Sequence, residues 1–542
     1  MRKAALYLGA ALVLLFAFSQ SLHGGPKDKE LQPKFQTSDR CFACHNDMTT
    51  GTGKNFSIGL DWGAGMMANS SRDPYWQAGV RREITDHPES QAQIEDECSI
   101  CHMPIARYQS RRQGRLGQVF SHLPFDPGNR SDAEAEDGVT CSVCHQIGPQ
   151  RLGTPESYVG NFVIGPPLSE TNHPEYGPYA IQSGQMHIMA TSSGGFRPTE
   201  GTHIAESGLC GSCHTLITKA LGEGGKEIAT FYEQMPYPEW LHSDYAGKQS
   251  CQSCHMPELT EPAPISSVLG MDRTGVRQHT FVGSNFLLER ILNQFRDELS
   301  LTAQPEELTK AARNSVEFLQ TQAARLSVSN VDLNGGRLTA TVVVQNLTGH
   351  KLPTAYPSRR AWLHFVVRDS TGRVVFESGK LRADGSIVGN ANDDDPLRYE
   401  PHYSKIDRAD QVEIYESIMK DQAGNVTTGL LHAVGYLKDN RVLPSGFDKR
   451  TAPADIAVVG EAEDDTSFTA GEDRVVYSVW VGTTTPGRFH VEAELWYQPV
   501  GFRWAHNLLR YNAAEPQRFV RYYESMASNN AIVLAHAEAS RE

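Results

Sequence analysis

Positive charge is scarce in this sequence of 542 residues. It contains 50 lysine and arginine residues against 64 aspartate and glutamate residues, and its formal net charge at pH 7 is −14. Nucleic-acid-binding proteins concentrate basic side chains on their contact surface, so we expect no nucleic-acid partner. The excess of negative charge instead predicts redox protein partners whose docking surfaces carry basic patches.

Long apolar runs are also scarce, which excludes a membrane protein built from several spanning helices. One run, residues 4–18, follows Arg2 and Lys3 and precedes a short polar stretch, a pattern typical of a secretory signal peptide. We therefore expect residues 1–21 to be a signal peptide and the mature protein to be periplasmic or extracellular. An uncleaved N-terminal anchor is the only membrane attachment expected, because no cysteine directly follows residue 21 as in a lipoprotein.

Cysteine is absent after residue 254, and all ten cysteines belong to copies of one Cys-x-x-Cys-His pattern. Chance would yield about 0.01 such pentapeptides at this composition. The five cysteine pairs are, in chain order, Cys41 and Cys44, Cys98 and Cys101, Cys141 and Cys144, Cys210 and Cys213, and Cys251 and Cys254. The histidines that follow them are His45, His102, His145, His214 and His255.

This spacing has a chemical reason. Two thiols separated by two residues can form thioether bonds to the two vinyl groups of one haem, and the adjacent histidine then lies beneath the iron as its proximal ligand. Disulfide bonds and zinc sites also use paired cysteines in exported proteins, but neither requires a histidine after every second cysteine. The sequence therefore predicts five covalently bound haem c groups.

The second axial ligand of each iron must come from elsewhere in the chain. Seven further histidines lie between residues 41 and 279. A histidine near an attachment motif is easily placed against a neighbouring haem, because the attachment fixes the chain there. This argument favours five distal ligands, which are His87, His122, His203, His242 and His279. The alternatives are His173, His187, Met66, Met67, Met186 and Met189.

Two features of the later chain could also bind metal. His350 lies in a compact polar turn, residues 348–354, from which it could reach a haem. A turn histidine that is hydrogen-bonded within its own domain is the favoured interpretation. The acidic run 392–395 offers oxygen ligands for calcium but lacks the spacing of an EF-hand, so a solvated loop is favoured.

The hydrophobic pattern divides the chain. Residues 22–282 show poor periodicity, which predicts a pentahaem cytochrome domain of short helices and loops whose core is formed by the haems. Residues 283–324 have helical spacing and predict a helical connector. A period of two over 325–512 predicts an immunoglobulin-like β-sandwich with an insertion at about 384–471, followed by a C-terminal helix and tail at 513–542, with the helix at 515–526. The expected fold is thus an α+β multidomain protein.

The sequence resembles exported bacterial multihaem c-type cytochromes and looks most like the superfamily that contains the nitrifier tetrahaem cytochromes, with a β-domain added. Besides the haem motifs, the resemblance rests on residues 239–243, 279–285 and 349–354. It implies haems stacked in parallel and perpendicular pairs that pass electrons along the row. Five-haem nitrite reductases have a lysine in place of one proximal histidine, whereas none of the five motifs here ends in lysine.

We therefore expect an electron-transfer protein rather than an enzyme. One alternative is a redox enzyme that acts on a small nitrogen or sulfur compound at one open haem. Another alternative is a subunit of a conductive cytochrome filament, formed by self-assembly through a heterologous interface.

Overall fold

The computed structural model describes residues 35–169, 171–482 and 488–541. The predicted signal peptide, residues 1–21, lies outside them. From Thr37 onward the described chain forms one compact unit. None of the described helices combines the length and the apolar character that a membrane span requires.

Short helices and small sheets make up residues 37–282, here called the motif segment. Its helices are α1 (Asp39–Phe42), α2 (Ile58–Gly63), α3 (Pro74–Asp86), α4 (Gln91–His102), α5 (Pro104–Arg112), α6 (Arg130–Glu136), α7 (Cys141–Cys144), α8 (Ser183–Ser192), α9 (Ser207–Gly211), α10 (Pro236–Leu241) and α11 (Cys251–His255). Its strands form three pairs, which are β1 (Met48–Thr49) with β2 (Asn55–Phe56), β3 (His173–Gly177) with β4 (Phe196–Glu200), and β5 (Leu216–Leu221) with β6 (Glu227–Gln234). Single turns of 3-10 helix lie at Pro88–Ser90, Phe120–His122, Pro155–Ser157, Thr202–Ala205 and Glu223–Gly225.

Two amphipathic helices follow the motif segment. They are α12 (Phe286–Gln294) and α13 (Pro305–Gln322). Pro305 occupies the first position of α13, where its missing N–H costs nothing. Leu287, Ile291 and Leu308 are fully buried in a core that these helices share with the strands that follow. The predicted helical connector is thus present as two helices.

Residues 324–541, here called the β-rich segment, contain two larger sheets. The strands are β7 (Ala324–Asn334), β8 (Arg337–Asn346), β9 (Arg360–Arg368), β10 (Val374–Ser378), β11 (Lys405–Ile406), β12 (Ile414–Tyr415), β13 (Ser417–Lys420), β14 (Val426–Thr427), β15 (Gly435–Asp439), β16 (Glu472–Trp480), β17 (Phe489–Gln498) and β18 (Ile532–Arg541). The helices are α14 (Ala391–Asp394), α15 (Phe502–His506) and α16 (Ala514–Ser525), with 3-10 turns at Glu461–Glu463, Asn507–Arg510 and Ala527–Asn529.

The two sheets face each other across an apolar core. One has the strand order β11-β16-β8-β7, and the other has the order β10-β9-β17-β18 with β12 also paired to β9. Phe365 of β9 stacks on Tyr477 of β16 with ring centres 3.7 Å apart. β7 and β8 form an antiparallel hairpin, and the expected α+β class is confirmed.

Two strands differ from the sequence prediction. The helix expected in the tail after residue 513 is present as α16, but the chain then forms β18, which pairs with β17 along its whole length. Its many alanines give β18 a weak strand signal. The alternation of apolar residues over 411–419 predicts one strand, but the chain changes sheet at Glu416, whose N–H donates to Asn440 Oδ1 instead of to a strand partner.

The acidic run 392–395 is not a fully solvated loop. Asp393 is buried and forms a two-pronged ion pair with Arg360, with Nη1–Oδ1 and Nη2–Oδ2 distances of 2.7 and 3.0 Å. Asp394 in contrast is 63% exposed. Because the guanidinium occupies both carboxylate oxygens of Asp393, this side chain serves to attach the insertion to β9 rather than to bind calcium.

A second buried polar cluster lies within the insertion, close to Asp473 of β16. His402 Nδ1 lies 2.9 Å from Glu413 Oε1, and His402 Nε2 lies 3.0 Å from Asp465 Oδ2. Burial opposes protonation of the ring, but the carboxylates of Glu413 and Asp465, with nearby Asp473, outweigh it and raise the pKa of His402 to about 9. His402, Glu413 and Asp473 could also be read as metal ligands. With both ring nitrogens hydrogen-bonded to carboxylates, however, the arrangement is that of a buried imidazolium.

Replacing His402 by glutamine should therefore reduce stability in a pH-dependent way. The folded-state pKa of about 9 exceeds the ordinary value of 6.5, so the stabilisation is complete below about pH 6.5 and is lost as the pH rises through 9. This difference corresponds to roughly 3 kcal/mol. Denaturant unfolding of wild type and His402→Gln at pH 6, 8 and 10 should show a gap that shrinks with pH. A gap independent of pH would contradict a protonated His402.

Candidate multihaem site

The five Cys-x-x-Cys-His motifs, numbered first to fifth along the chain, each include a turn of helix. They lie in or directly after α1, at the end of α4, and in α7, α9 and α11. One helical turn brings residues three apart to the same side, so the two thiols of a motif point in one direction. The structure joins none of the ten cysteines, all of which it describes, in a disulfide. This is the local geometry that two thioether bonds to one haem require.

Backbone carbonyls orient four of the five motif histidines. In each of these rings Nδ1 faces a carbonyl oxygen from a distant part of the chain, which leaves Nε2 for a metal. The contacts are His45 with Ile265 at 2.6 Å, His102 with Ser70 at 2.9 Å, His145 with Tyr176 at 2.6 Å and His255 with Val282 at 2.7 Å. No sequence signal could have identified these carbonyls, because every residue carries one.

The motif histidines are also held in the neutral form. Burial lowers the pKa of His102 and of His214 to about 4, and it lowers the pKa of the other three as well. A histidine must be deprotonated at the nitrogen that binds a metal. The donor set of paired thiols and neutral imidazoles thus fits covalently attached haem.

His279 lies opposite the proximal histidine of the third motif. The ring centres of His145 and His279 are 6.3 Å apart and the ring planes differ by 20°. Two metal–nitrogen bonds of about 2 Å, together with the distance from each ring centre to its nitrogen, add to roughly this separation. His279 Nδ1 lies 3.1 Å from the carbonyl of Arg277, and burial lowers the pKa of His279 to about 3. The pair can therefore bind one iron from both sides.

His350 lies opposite the proximal histidine of the fifth motif in the same way. The ring centres of His255 and His350 are 6.3 Å apart with an angle of 17° between the planes. His350 Nδ1 is 3.0 Å from the carbonyl of Lys351. The ring is thus hydrogen-bonded within its own turn and also faces a motif histidine, two roles that the sequence analysis treated as alternatives. In the sequence, the feature that pointed to His350 was the polar turn around it, which lies far along the chain from the motifs.

The other predicted distal ligands occupy different surroundings. His87 is buried, and its Nε2 has no hydrogen-bond partner among the described residues. His122 Nδ1 contacts Asp132 at 2.8 Å, and His242 Nδ1 contacts the Pro238 carbonyl at 2.8 Å, so both rings keep Nε2 available. His203 differs, because its Nε2 is 2.8 Å from the Ile147 carbonyl. These four assignments, like that of His279, stay predictions, and for His203 the ring would have to turn before Nε2 could bind iron.

The motifs are not arranged in their sequence order. Cys41 interacts with Cys141, Cys101 with Cys213, and Cys210 with Cys251. The third motif also interacts electrostatically with the fourth, through Cys144. The first motif is therefore next to the third, and the third, second and fifth are all next to the fourth. Electron-carrying groups attached to these cysteines would be neighbours in that order.

Comparison with solved structures finds a protein of similar structure. No family model and no curated protein matches the chain. Its structure is similar to that of the penta-heme cytochrome c552 from Thermochromatium tepidum, with a TM-score of 0.52, 14% sequence identity, and coverage of 94% of this chain and 99% of that chain. The two proteins share a fold. At this identity the likeness speaks for the architecture, and the chemistry depends on the residues described above.

Replacing His279 by alanine should leave one iron without its sixth ligand. We expect unchanged haem content and the conversion of one low-spin ferric signal to high spin in the electron paramagnetic resonance spectrum, because a vacant or water-bound axial position weakens the ligand field. His536→Ala, which removes an exposed histidine of β18, serves as the control. If His279→Ala retained the full low-spin spectrum, His279 would not be an iron ligand.

Proposed function

We propose that this protein is an exported c-type cytochrome that carries electrons between redox proteins through five covalently bound haems. The observation that supports this most directly is the His145–His279 pair, which stands beside a thioether motif with the separation that one iron needs. Haem c supplies a one-electron iron couple whose potential depends on the axial ligands, burial and nearby charge. An iron with two histidine ligands has no free position for a substrate, which suits transfer rather than catalysis.

The residues of the chain contribute attachment and fixed orientation. Ten cysteines offer covalent bonds, which would prevent loss of the cofactor outside the cell. The carbonyls of Ile265, Ser70, Tyr176 and Val282 hold the proximal rings, so an axial ligand does not reorient when the charge of its iron changes. The contacts among cysteines of different motifs support haem sites that lie side by side. Short steps between rigid sites are what efficient electron transfer needs.

The proposal includes several features that rest on the sequence. The signal-peptide pattern supports export, and the net charge of −14 supports partners with basic docking patches. The two facing sheets are proposed to form an immunoglobulin-like sandwich. The likeness to a protein whose name is penta-heme cytochrome c552 supports haem as the cofactor.

Catalysis at one open iron is the alternative. Among the described residues, no second histidine ring faces His45, His102 or His214 in the way that His279 faces His145. Arg359 interacts electrostatically with His214 and His255, and it would place a positive charge near any anion bound there. A small nitrogen or sulfur oxyanion is the class of substrate that such a site would suit.

Expression in a host that matures c-type cytochromes would test the proposal. We expect five haems per chain by haemochrome assay and protein mass, and a ferric spectrum that is low-spin and unchanged by nitrite or hydroxylamine. The reduced protein should pass its electrons to a basic cytochrome at a rate that falls as ionic strength rises. A protein without covalent haem would overturn the proposal. A high-spin component that shifts with nitrite would favour the enzyme instead.

A further inference from the structure

We propose that His350, which belongs to the β-rich segment, is the sixth ligand of the iron at the fifth motif, and that the buried carboxylate of Glu239 positions it. This inference rests on the proposed function, because it requires a haem at Cys251 and Cys254. It assigns the β-rich segment a direct part in a metal site.

The ring geometry supports the assignment of the ligand. The His255–His350 pair matches the His145–His279 pair in ring separation, 6.3 Å in both, and in angle, 17° against 20°. In all four rings Nδ1 lies within hydrogen-bond distance of a backbone carbonyl, so Nε2 is the nitrogen available to iron. Because two independent pairs have the same geometry, we infer that each pair binds one iron.

The turn that carries His350 is shaped by its own segment. Asn346, the last residue of β8, donates from Nδ2 to the carbonyls of His350 and Val442 at 2.8 and 2.9 Å. Its Oδ1 accepts hydrogen bonds from the N–H and the hydroxyl of Thr348, both at 2.8 Å. Asn346 is only 4% exposed, and these bonds close the turn around it. The β-rich segment thus presents His350 on a rigid support.

The motif segment holds the same turn from the other side. Glu239 of α10 is fully buried, and its Oε2 accepts hydrogen bonds from the N–H of Lys351 at 3.1 Å and from the hydroxyl of Thr354 at 2.5 Å. Tyr245 donates from its hydroxyl to the carbonyl of Leu347 at 2.7 Å. These contacts bracket His350 on both sides in sequence. They fix its position relative to the segment that contains the fifth motif.

Close packing also leaves little room for a larger residue before His350. A Cβ atom at Gly349 would lie 3.1 Å from Trp240 Cδ1 and 3.3 Å from Tyr245 Cβ. Both neighbours belong to the stretch that follows Glu239. The glycine therefore lets the turn approach the motif segment closely enough for His350 to face His255.

The charge of Glu239 is balanced within a buried network. Arg441 Nη1 lies 3.0 Å from Glu239 Oε1, and Arg441 also pairs with Asp439 at 2.8 Å. Lys351 Nζ completes the network at 2.7 Å from Asp439 Oδ2. Removing one member of such a network leaves an uncompensated buried charge, so its geometry is strongly determined. Glu239 thus has charged partners in the β-rich segment in addition to its bonds to the turn.

The test compares two pairs of variants in the haem-loaded full chain. His350→Ala removes the proposed ligand, and His364→Ala removes a partly buried histidine of β9 as its control. Glu239→Gln removes the positioning charge, and Glu416→Gln removes another buried carboxylate, one paired with Lys438, as its control. Haem content is measured by haemochrome assay, and spin state by electron paramagnetic resonance.

We expect His350→Ala to keep five haems while the low-spin signal of one haem becomes high spin, and added imidazole should restore that signal. Glu239→Gln should give a partial high-spin component, whereas both controls should remain low-spin. A fully low-spin His350→Ala protein with five haems would overturn the ligand assignment and leave the proposed function intact. A wild-type protein without covalent haem would instead overturn the proposed function. If Glu239→Gln and Glu416→Gln gave the same spectrum, Glu239 would not position His350.

If the His350→Ala protein does not accumulate, His350→Met provides a second test of the ligand assignment. His350→Met should raise the reduction potential of one haem and produce the absorption of a methionine-ligated iron, because a thioether favours the reduced metal. Unchanged potentials in a protein with five haems would show that position 350 does not reach iron.

Discussion

Two imidazole rings that are to bind one iron must face each other at a fixed separation, and two histidine pairs from distant parts of the chain meet this requirement. His145 faces His279, and His255 faces His350, each pair with ring centres 6.3 Å apart. Neither pair is local in sequence. The carbonyls of Tyr176 and Val282 then fix the proximal rings, so the loops that carry them must also pass close to the motifs. The backbone around Tyr176 and Val282 is thereby held against the third and fifth motifs.

The attachment motifs could be predicted with no structure, because a spacing of three residues within one helical turn is a local property. The distal ligands could not, because they depend on contacts between residues far apart in the chain. Proximity in sequence to a motif favoured His203, yet its Nε2 faces the Ile147 carbonyl. His350 seemed better explained as a turn residue, and only the packing of α10 against its turn brings it opposite His255. The hydrogen bond within the turn uses Nδ1 of His350 and leaves Nε2 for another contact.

The same distinction between local and long-range contacts explains which parts of the fold could be predicted. The hairpin of β7 and β8 was predictable from alternation and from a glycine turn, which act over neighbouring residues. β18 was not, since its alanines carry little strand signal and its pairing with β17 joins chain segments separated by α15 and α16. The acidic run at 392–395 looked solvated because composition alone cannot show that Arg360 lies beneath Asp393. Burial depends on contacts with residues far away in the sequence, and composition does not reveal those contacts.

The contacts among the motifs have a consequence for how the sites are connected. Among the described cysteines, those of the fourth motif interact with cysteines of the second, third and fifth motifs, and Cys41 of the first motif interacts with Cys141 of the third. A linear series has two ends, whereas this set of contacts is a branched tree with three ends, at the first, second and fifth motifs. The fourth motif is its only junction. Loss of Cys210 and Cys213 would therefore divide the tree into three separate parts, while loss of any terminal motif would leave the remaining four connected.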